Sequence, residues 1–214
     1  MAANFTALKA EIADHLNRTD LTSVIPSLIT LAEAELNNQL RSREQVGRAT
    51  ATLDSEYEWV PSDLIEMRRL VLLTSASPNR TLRQMSPTNI IREYPGTGTG
   101  TPKAYAVIGP QMQFRPAPDS GSTYEIEMTY YAKVTPLTSS QETASTLTAY
   151  PALYLQACLT EAYLYLHDQQ GAARHLPLRD RLIEQTNTAT ENHQYSAGPL
   201  TINHGMRGIE GAFR

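Results

Sequence analysis

The side chains most able to carry chemistry in this chain are its histidines, its cysteine and its paired carboxylates, and their spacing argues against a catalytic or metal site. The histidines are His15, His167, His175, His193 and His204. No two of them have the four-residue spacing at which a helix presents two zinc ligands, and the single cysteine, Cys158, lies in a nearly apolar segment. We therefore expect no metal ion, no cofactor and no catalytic residue, and a buried structural thiol at Cys158.

Two pairs of glutamates have the two-residue spacing that places side chains on one face of a strand. Glu125 and Glu127 alternate with apolar residues over 124–128, which predicts a solvated outer face for both carboxylates. Glu56 and Glu58 are expected at an acidic hairpin rim. Neither pair offers the combination of a high-pKa acid and an ionised base that acid–base catalysis requires.

The sequence GTGTG at residues 96–100 invites comparison with a phosphate-binding loop. Such a loop joins a strand to a helix, and a lysine followed by a hydroxyl residue comes after its glycines. Here no such pair follows, and Pro102 stands where the helix would have to begin. The segment is therefore predicted to be a hairpin loop.

The charged residues indicate contact with protein rather than with nucleic acid. The formal net charge is −4, whereas a nucleic-acid-binding domain is usually clearly basic. All but three of the 18 basic residues are arginine, which is enriched in protein interfaces, although codon or host bias would give the same count. Arg174, Arg179 and Arg181 are predicted to lie along one side of a helix and to meet a neighbour's carboxylates.

Apolar residues recur at three- and four-residue spacings near both ends of the chain, which predicts helices over residues 4–45 and 150–195. The helix over residues 151–167 is apolar on nearly every side. It is too short for a membrane span and carries Glu161 near its centre, so we expect it to be buried in protein. We predict that Gly171 ends this helix.

The last predicted helix runs to about residue 192, with a bend near Pro177. Its second half, residues 185–196, is almost wholly polar, and such a segment needs a partner to stay helical. The predicted inner side of the helix consists of Leu178, Leu182 and Ile183, with Leu176 as a further candidate.

Between the helices, over residues 48–134, apolar and polar residues alternate, which predicts strands. We expect a hairpin from residues 49–53 and 57–60, and a polar connector over residues 135–149. Further strands are expected at 68–74, 81–85, 104–108, 112–118 and 123–134, with a short helix from Ser86 to Tyr94.

These elements predict the α+β class: a helical bundle made from the N- and C-terminal helices, an inserted small antiparallel β-sheet or half-barrel, and an extended C-terminal tail. We predict one composite domain over residues 1–196 and a tail over residues 197–214. The tail has four glycines and no regular period over its length, yet it is rich in apolar groups, which indicates a segment that orders on a partner. Those groups are Leu200, Ile202, Met206, Ile209 and Phe213.

Four segments of the chain are characteristic. They are the hydroxyl-rich strand before Leu53, VPSDLIEMR at residues 60–68, the strand TYYAKV at residues 129–134 and the helix start YPALYLQA at residues 150–157. With these segments in this order, the sequence resembles, over nearly its whole length, the head-to-tail adaptor (connector) proteins of short-tailed bacteriophages. The order of the four makes the resemblance more specific than any one of them.

The resemblance implies a structural virion protein that forms a ring, usually of twelve copies, beneath the portal at the capsid vertex. Such a ring joins the portal to the tail or nozzle and continues the channel for double-stranded DNA. The protein would reside in the virion neck, and in the host cytoplasm during assembly. The predicted contacts with portal or neighbour are the five apolar tail residues with Arg207 and Arg214, and the three helix arginines, while Glu56 and Glu58 are expected at the channel or the tail-side rim.

Other functions stay open on the sequence. A tail-completion or nozzle protein would also form rings but would contact the tail instead of the portal. A tail-associated hydrolase would need a cleft with paired carboxylates, and a DNA-binding packaging factor would be expected to be more basic.

Overall fold

The computed structural model describes residues 2, 4–73, 79–96, 98–119 and 124–195. In this part of the chain the helices are α1 (Phe5–Leu16), α2 (Ile25–Gln39), α3 (Pro87–Glu93), α4 (Ser145–Ala149), α5 (Pro151–Tyr165) and α6 (Gln169–Tyr195). The strands are β1 (Val46–Leu53), β2 (Tyr57–Trp59), β3 (Leu64–Leu73), β4 (Arg80–Thr81), β5 (Arg83–Gln84), β6 (Ala104–Ile108), β7 (Gln111–Arg115) and β8 (Tyr124–Ala132). The α+β class is confirmed.

Capping, turn-forming and proline residues set the ends of the N-terminal helices. The Asn4 side chain accepts a hydrogen bond from the Ala7 N–H at 2.8 Å and so caps α1. Asn17 ends α1 in the left-handed conformation, with φ of 50°, which asparagine tolerates well. Pro26 stands in the first turn of α2, where no backbone donor is lost.

Helix α5 is the centre of the helical bundle. It packs against α1, α2, α4 and α6. Its buried residues are Leu153, Tyr154, Ala157, Cys158, Leu159, Thr160 and Ala162. Burying each large apolar side chain contributes roughly 1.5–3 kcal/mol, so the apolar surface of this helix is used mainly inside its own bundle. No helix in the described ranges is both long enough and apolar enough to cross a membrane.

The prediction that Gly171 ends the apolar helix is wrong. Helix α5 ends at Tyr165, His167 turns the chain with φ of 57°, and the Asp168 carboxylate accepts the Gly171 N–H at 3.0 Å at the start of α6. Gly171 lies inside α6, where a Cβ atom would come within 2.3 Å of the Tyr163 ring. The glycine is needed for the close approach of α5 and α6 and does not break a helix.

The strands form two four-stranded sheets. Sheet A has the order β1-β8-β3-β4, and sheet B has the order β2-β7-β6-β5. Their inner faces share one core, to which sheet A contributes Leu53, Leu70, Leu72 and Ile126 and sheet B contributes Tyr105, Met112 and Phe114. The inserted region is therefore built from two sheets that bury a common apolar layer.

The predicted hairpin of residues 49–53 and 57–60 is wrong, because β1 pairs with β8 and β2 pairs with β7. Residues 54–56 carry the chain from sheet A to sheet B, so that both strands can bury a face in the shared core. Strands β5 and β6 are parallel, and the glycine-rich segment joins α3 to β6. This segment is therefore not the hairpin loop that its composition suggested.

Residues 135–149 are more than the polar connector that was predicted. Leu137 and Leu147 are buried in the bundle core, and α4 forms at the end of the segment. Two α2 side chains hold its beginning: the Asn37 Oδ1 accepts the Val134 N–H at 2.7 Å, and the Glu33 Oε1 accepts the Leu137 N–H at 2.9 Å. The segment thus fixes the exit from sheet A against the bundle.

Candidate assembly surface

The predicted contact residues of the tail lie outside the described residues. They are Leu200, Ile202, Met206, Arg207, Ile209, Phe213 and Arg214. Their contacts with portal or neighbour stay a prediction.

The three helix arginines do not share one side of α6, and that prediction is wrong. Arg174 and Arg181 are both exposed, seven residues apart, and therefore lie on the same side. Arg179 is five residues from Arg174, which places it on the opposite, packed side, where its side chain is 8% exposed and bonds Asp180 at 2.8 Å. Its charge also opposes the rise that burial causes in the pKa of Glu161 on α5. Only Arg174 and Arg181 are exposed enough to meet a partner.

The two rim glutamates have partners within their own chain. The Glu56 carboxylate pairs with Arg115 at 2.8 Å and accepts a hydrogen bond from the Gln113 Nε2 at 2.7 Å. The half-buried Glu58 accepts a hydrogen bond from the Ser55 hydroxyl at 3.1 Å. Arg115 compensates the charge of Glu56, so Glu56 adds less negative potential than an unpaired carboxylate would. Whether these residues face a channel or a rim stays a prediction.

The polar second half of α6 has its partner at the C-terminal end of α2. The Asn187 Oδ1 accepts the Arg41 N–H at 2.8 Å, and its Nδ2 donates to the Gln39 carbonyl at 3.0 Å. Thr186 and Thr190 are buried, and each hydroxyl donates to a carbonyl one turn earlier in α6. Asn187 thus supplies partners for backbone groups at the end of α2, and the threonine hydroxyls satisfy themselves within α6.

A groove of about 600 Å³ lies where α6 meets the outer face of sheet A. Its centre is the Tyr131 ring, which has the Arg41 and Arg68 guanidinium carbons 5.9 and 5.1 Å from its centroid. Arg41 also donates to Glu66 at 3.2 Å. The lining residues are Arg41, Glu66, Met67, Arg68, Tyr131, Asn187 and Glu191. The mixed charges and the internal bonds of this groove mark it as the joint between bundle and sheets.

The buried titratable groups of the bundle are shielded from reaction partners. Burial raises the pKa of Glu33 to about 7, and the Leu137 N–H opposes part of that rise. Burial and the nearby Glu33 carboxylate raise the pKa of Tyr154 and of Cys158. Because Cys158 is fully buried, its thiol is protonated at neutral pH and packs as a small apolar group. The described residues contain no cluster of acidic, histidine and cysteine side chains that could hold a metal ion.

Two sets of large apolar side chains are exposed on different elements. The first, which we call the sheet B patch, consists of Tyr57, Trp59 and Ile108, and Trp59 is 67% exposed. The second, which we call the helix surface, consists of Leu164, Tyr165, Leu176 and Leu178 and is spread around α5 and α6, since Leu176 and Leu178 are about 200° apart on their helix. Leu31 on α2 and Ile91 on α3 are exposed singly. The expectation that Leu178 and Leu176 lie on the inner side of α6 is wrong, since both are exposed. Aromatic and large aliphatic groups left in water on both regions are typical of protein contact sites.

A comparison with protein families gives the decisive observation: the family model described as SU10 adaptor protein matches residues 3–202. The chain belongs to this family. The adaptor resemblance of its sequence is thereby confirmed for the bundle, both sheets and the first residues beyond α6. The family is one of phage structural adaptor proteins. A comparison with curated proteins finds no match.

In this adaptor, sequence reasoning missed the sheet B patch and the buried Glu33. The only signal for the patch was the alternation Tyr-Glu-Trp over 57–59, which fits an inward face as well as an outward one. For Glu33 the signal was its position within the apolar stripe of α2, between Ile29 and Leu36.

Proposed function

We propose that this adaptor forms a ring of about twelve copies beneath the portal, joins the capsid to the tail, and continues the DNA channel. The family match over residues 3–202 supports an adaptor role. The single observation that carries the ring is the presence of two exposed apolar surfaces on different elements, the sheet B patch and the helix surface. A closed ring has heterologous contacts, in which two different surfaces of the subunit meet, whereas a two-fold dimer needs only one.

In this proposal residues 1–196 form one composite domain and residues 197–214 form an arm that binds the portal or the neighbouring subunit. Each large apolar side chain that the arm buries contributes roughly 1.5–3 kcal/mol before its ordering cost. Because the arms of all copies engage together, modest contacts per arm give firm attachment. The net charge of −4 per copy suits a channel past which DNA phosphates slide without binding.

Sedimentation of the full chain with and without purified portal tests this function. We expect the adaptor alone to sediment as a small species and to join the portal in a complex whose mass gives the number of copies. A chain that ends after residue 196 should fail to join the portal while keeping its helical circular dichroism. Binding to an isolated tail or nozzle protein and not to the portal would instead indicate a tail-completion or nozzle ring.

A further inference from the structure

The outer strand of sheet B offers backbone groups as well as apolar side chains. Strand β2 pairs on one side with β7, where the Phe114 N–H donates to the Glu56 carbonyl at 2.8 Å and the Val60 N–H donates to the Pro110 carbonyl at 3.0 Å. Bonded and non-bonded pairs alternate along antiparallel strands, so the N–H and C=O groups of Tyr57 and Trp59 point away from β7. The Tyr57 carbonyl accepts the Ser55 hydroxyl at 2.6 Å, so an added strand would have to displace that bond or pair through the Tyr57 N–H and the two groups of Trp59. Within the described ranges no strand pairs with that side of β2.

The side chains of the same two residues stand on the outer face of sheet B, part of which α3 covers. Across the strands of sheet B, Trp59 lies beside Gln111, which in turn pairs with Ile108, and Tyr57 lies beside Gln113, which pairs with Ala106. Helix α3 covers this face only near Ala104 and Ala106, through Ile90. In the described part of the chain nothing covers the region around Trp59 and Ile108, which are 67% and 40% exposed. An open strand edge beside exposed aromatic side chains is suited to binding an extended segment that adds one more strand.

The chain itself supplies a segment of that kind. Residues 200–203, Leu-Thr-Ile-Asn, alternate apolar and polar side chains and follow Pro199, four residues beyond the end of α6. Leu200 and Ile202 would lie opposite the residues of β2 on the apolar face. Only residues 196–199 separate α6 from this segment, and they can span up to about 17 Å when extended, so the β2 that accepts the segment has to lie close to the end of α6.

The position of α6 favours a neighbouring copy as the acceptor. Asn187 and Glu191 line the groove on the outer face of sheet A, together with Glu66 and Arg68. Sheet B lies on the other side of the shared core, so α6 leads the chain away from its own β2. We propose that residues 200–203 of one copy pair as an added strand with β2 of the next copy, and that residues 204–214 continue to the portal. This inference rests on the proposed ring.

Trp59 is the only tryptophan of the chain and therefore reports directly on this edge. The acceptor for the test is the full-length Ile202→Asp variant, in which the apolar pattern of its own arm is interrupted. A synthetic peptide of residues 196–206 is titrated into it while Trp59 emission and its quenching by acrylamide are recorded. We expect a saturable shift of the emission to shorter wavelength and reduced quenching, because the added strand covers the indole.

Two N-methylated peptides separate strand pairing from simple apolar contact. If Leu200 and Ile202 lie opposite Tyr57 and Trp59, their N–H groups point to β2 and that of Thr201 points away. N-methylation at Ile202 should weaken binding about tenfold or more, and N-methylation at Thr201 should leave it nearly unchanged. Equal binding of both peptides, or no response of Trp59 to the unmodified peptide, would overturn the proposal.

Two further measurements fix the location and the source of the segment. In the acceptor, Tyr57→Asp should abolish the response, while Ile91→Asp, at an exposed apolar position on α3, should preserve it. In the unmodified full-length protein, Trp59 emission should shift when the ring assembles on portal and stay unshifted in the adaptor alone, because the segment comes from another copy. Emission that is already shifted and independent of dilution would show that the chain's own segment occupies β2 and would refute the exchange. A ring that assembles with Trp59 still exposed to acrylamide would overturn this inference and leave the proposed function standing.

Discussion

The helical bundle and the two-sheet region treat their largest side chains differently. The bundle buries α5 between four other helices, and even its ionisable groups Glu33 and Cys158 are enclosed. The sheet region has a smaller core and leaves Trp59 and Tyr57 in water on its outer strand. In the proposed ring the interior of the bundle would supply stability, and the side chains left in water, on the sheet B patch and on the helix surface, would supply contact.

The largest expected effect is on the bundle. Leu159→Ala, at a fully buried position of α5, should lower the free energy of unfolding by about 2–5 kcal/mol because it leaves a cavity. Leu164→Ala is the same substitution on the same helix at a position that is 50% exposed, and it should cost less than about 1 kcal/mol. Urea unfolding followed by circular dichroism measures both. Similar costs for the two variants would contradict the central position of α5.

The pH dependence of stability should respond to Glu33. Its pKa rises from 4.5 to about 7 on folding, so the folded state binds more protons than the unfolded state between these values. Stability from this group is therefore present below about pH 4.5 and is lost as the pH rises to about 7. Glu33→Gln keeps the acceptor for the Leu137 N–H, removes this loss, and should raise the free energy of unfolding at pH 8 by about 1–3 kcal/mol.

The control for Glu33 is Glu184→Gln on the exposed side of α6, which should leave the pH profile unchanged. Urea unfolding between pH 4.5 and pH 8 makes the comparison. A Glu33→Gln profile parallel to that of the wild type would mean that the carboxylate does not titrate in this range.

The joint between bundle and sheets should show a smaller effect. Asn187→Ala removes the two hydrogen bonds to Arg41 and Gln39 and should cost about 1–3 kcal/mol. Asn192→Ala, at an exposed position on the same helix, should change stability by less than about 0.5 kcal/mol. Amide hydrogen exchange of the Arg41 N–H should accelerate only in the first variant. Unchanged exchange there would show that α6 does not hold the joint.

The smallest effect on stability is expected at the sheet B patch. Trp59→Ser should change the free energy of unfolding by less than about 0.5 kcal/mol, because the side chain is mostly in water. The same variant should assemble poorly with portal in sedimentation, since it lacks the aromatic contact. Normal assembly of this variant would mean that Trp59 is not part of the subunit contact, and would contradict the proposed difference between the two regions.

Helix positions were predictable because their signals are local. The spacing of apolar residues in α1 and α2 and the proline at the start of α5 are read within a single segment. Strand pairing was not predictable. Strands β1 and β8 pair although they are more than seventy residues apart in the sequence, and no local feature of β1 identifies β8 as its partner. Gly171 was misread for a related reason: its role depends on Tyr163, which belongs to the other helix.

The candidate surface was predictable in part. The family was recognised from four segments in order. The polar composition of the second half of α6 also predicted that this half needs a partner. The exposure of Leu178 and the burial of Arg179 were not, because both depend on which side of α6 meets α5. Amphipathic periodicity sets that side only weakly in a helix with so many polar residues.

Helix α6 gives the subunit a mechanical property. With 27 residues it is about 40 Å long, and it runs from the tight turn at His167 to the joint with sheet A. Pro177 lies inside it and removes one backbone hydrogen bond, which makes this the weakest point of the helix against bending. A strain applied at the α5–α6 turn would therefore reach the Tyr131 groove through a helix that can flex at Pro177, so that α6 would act as a jointed lever between the two places.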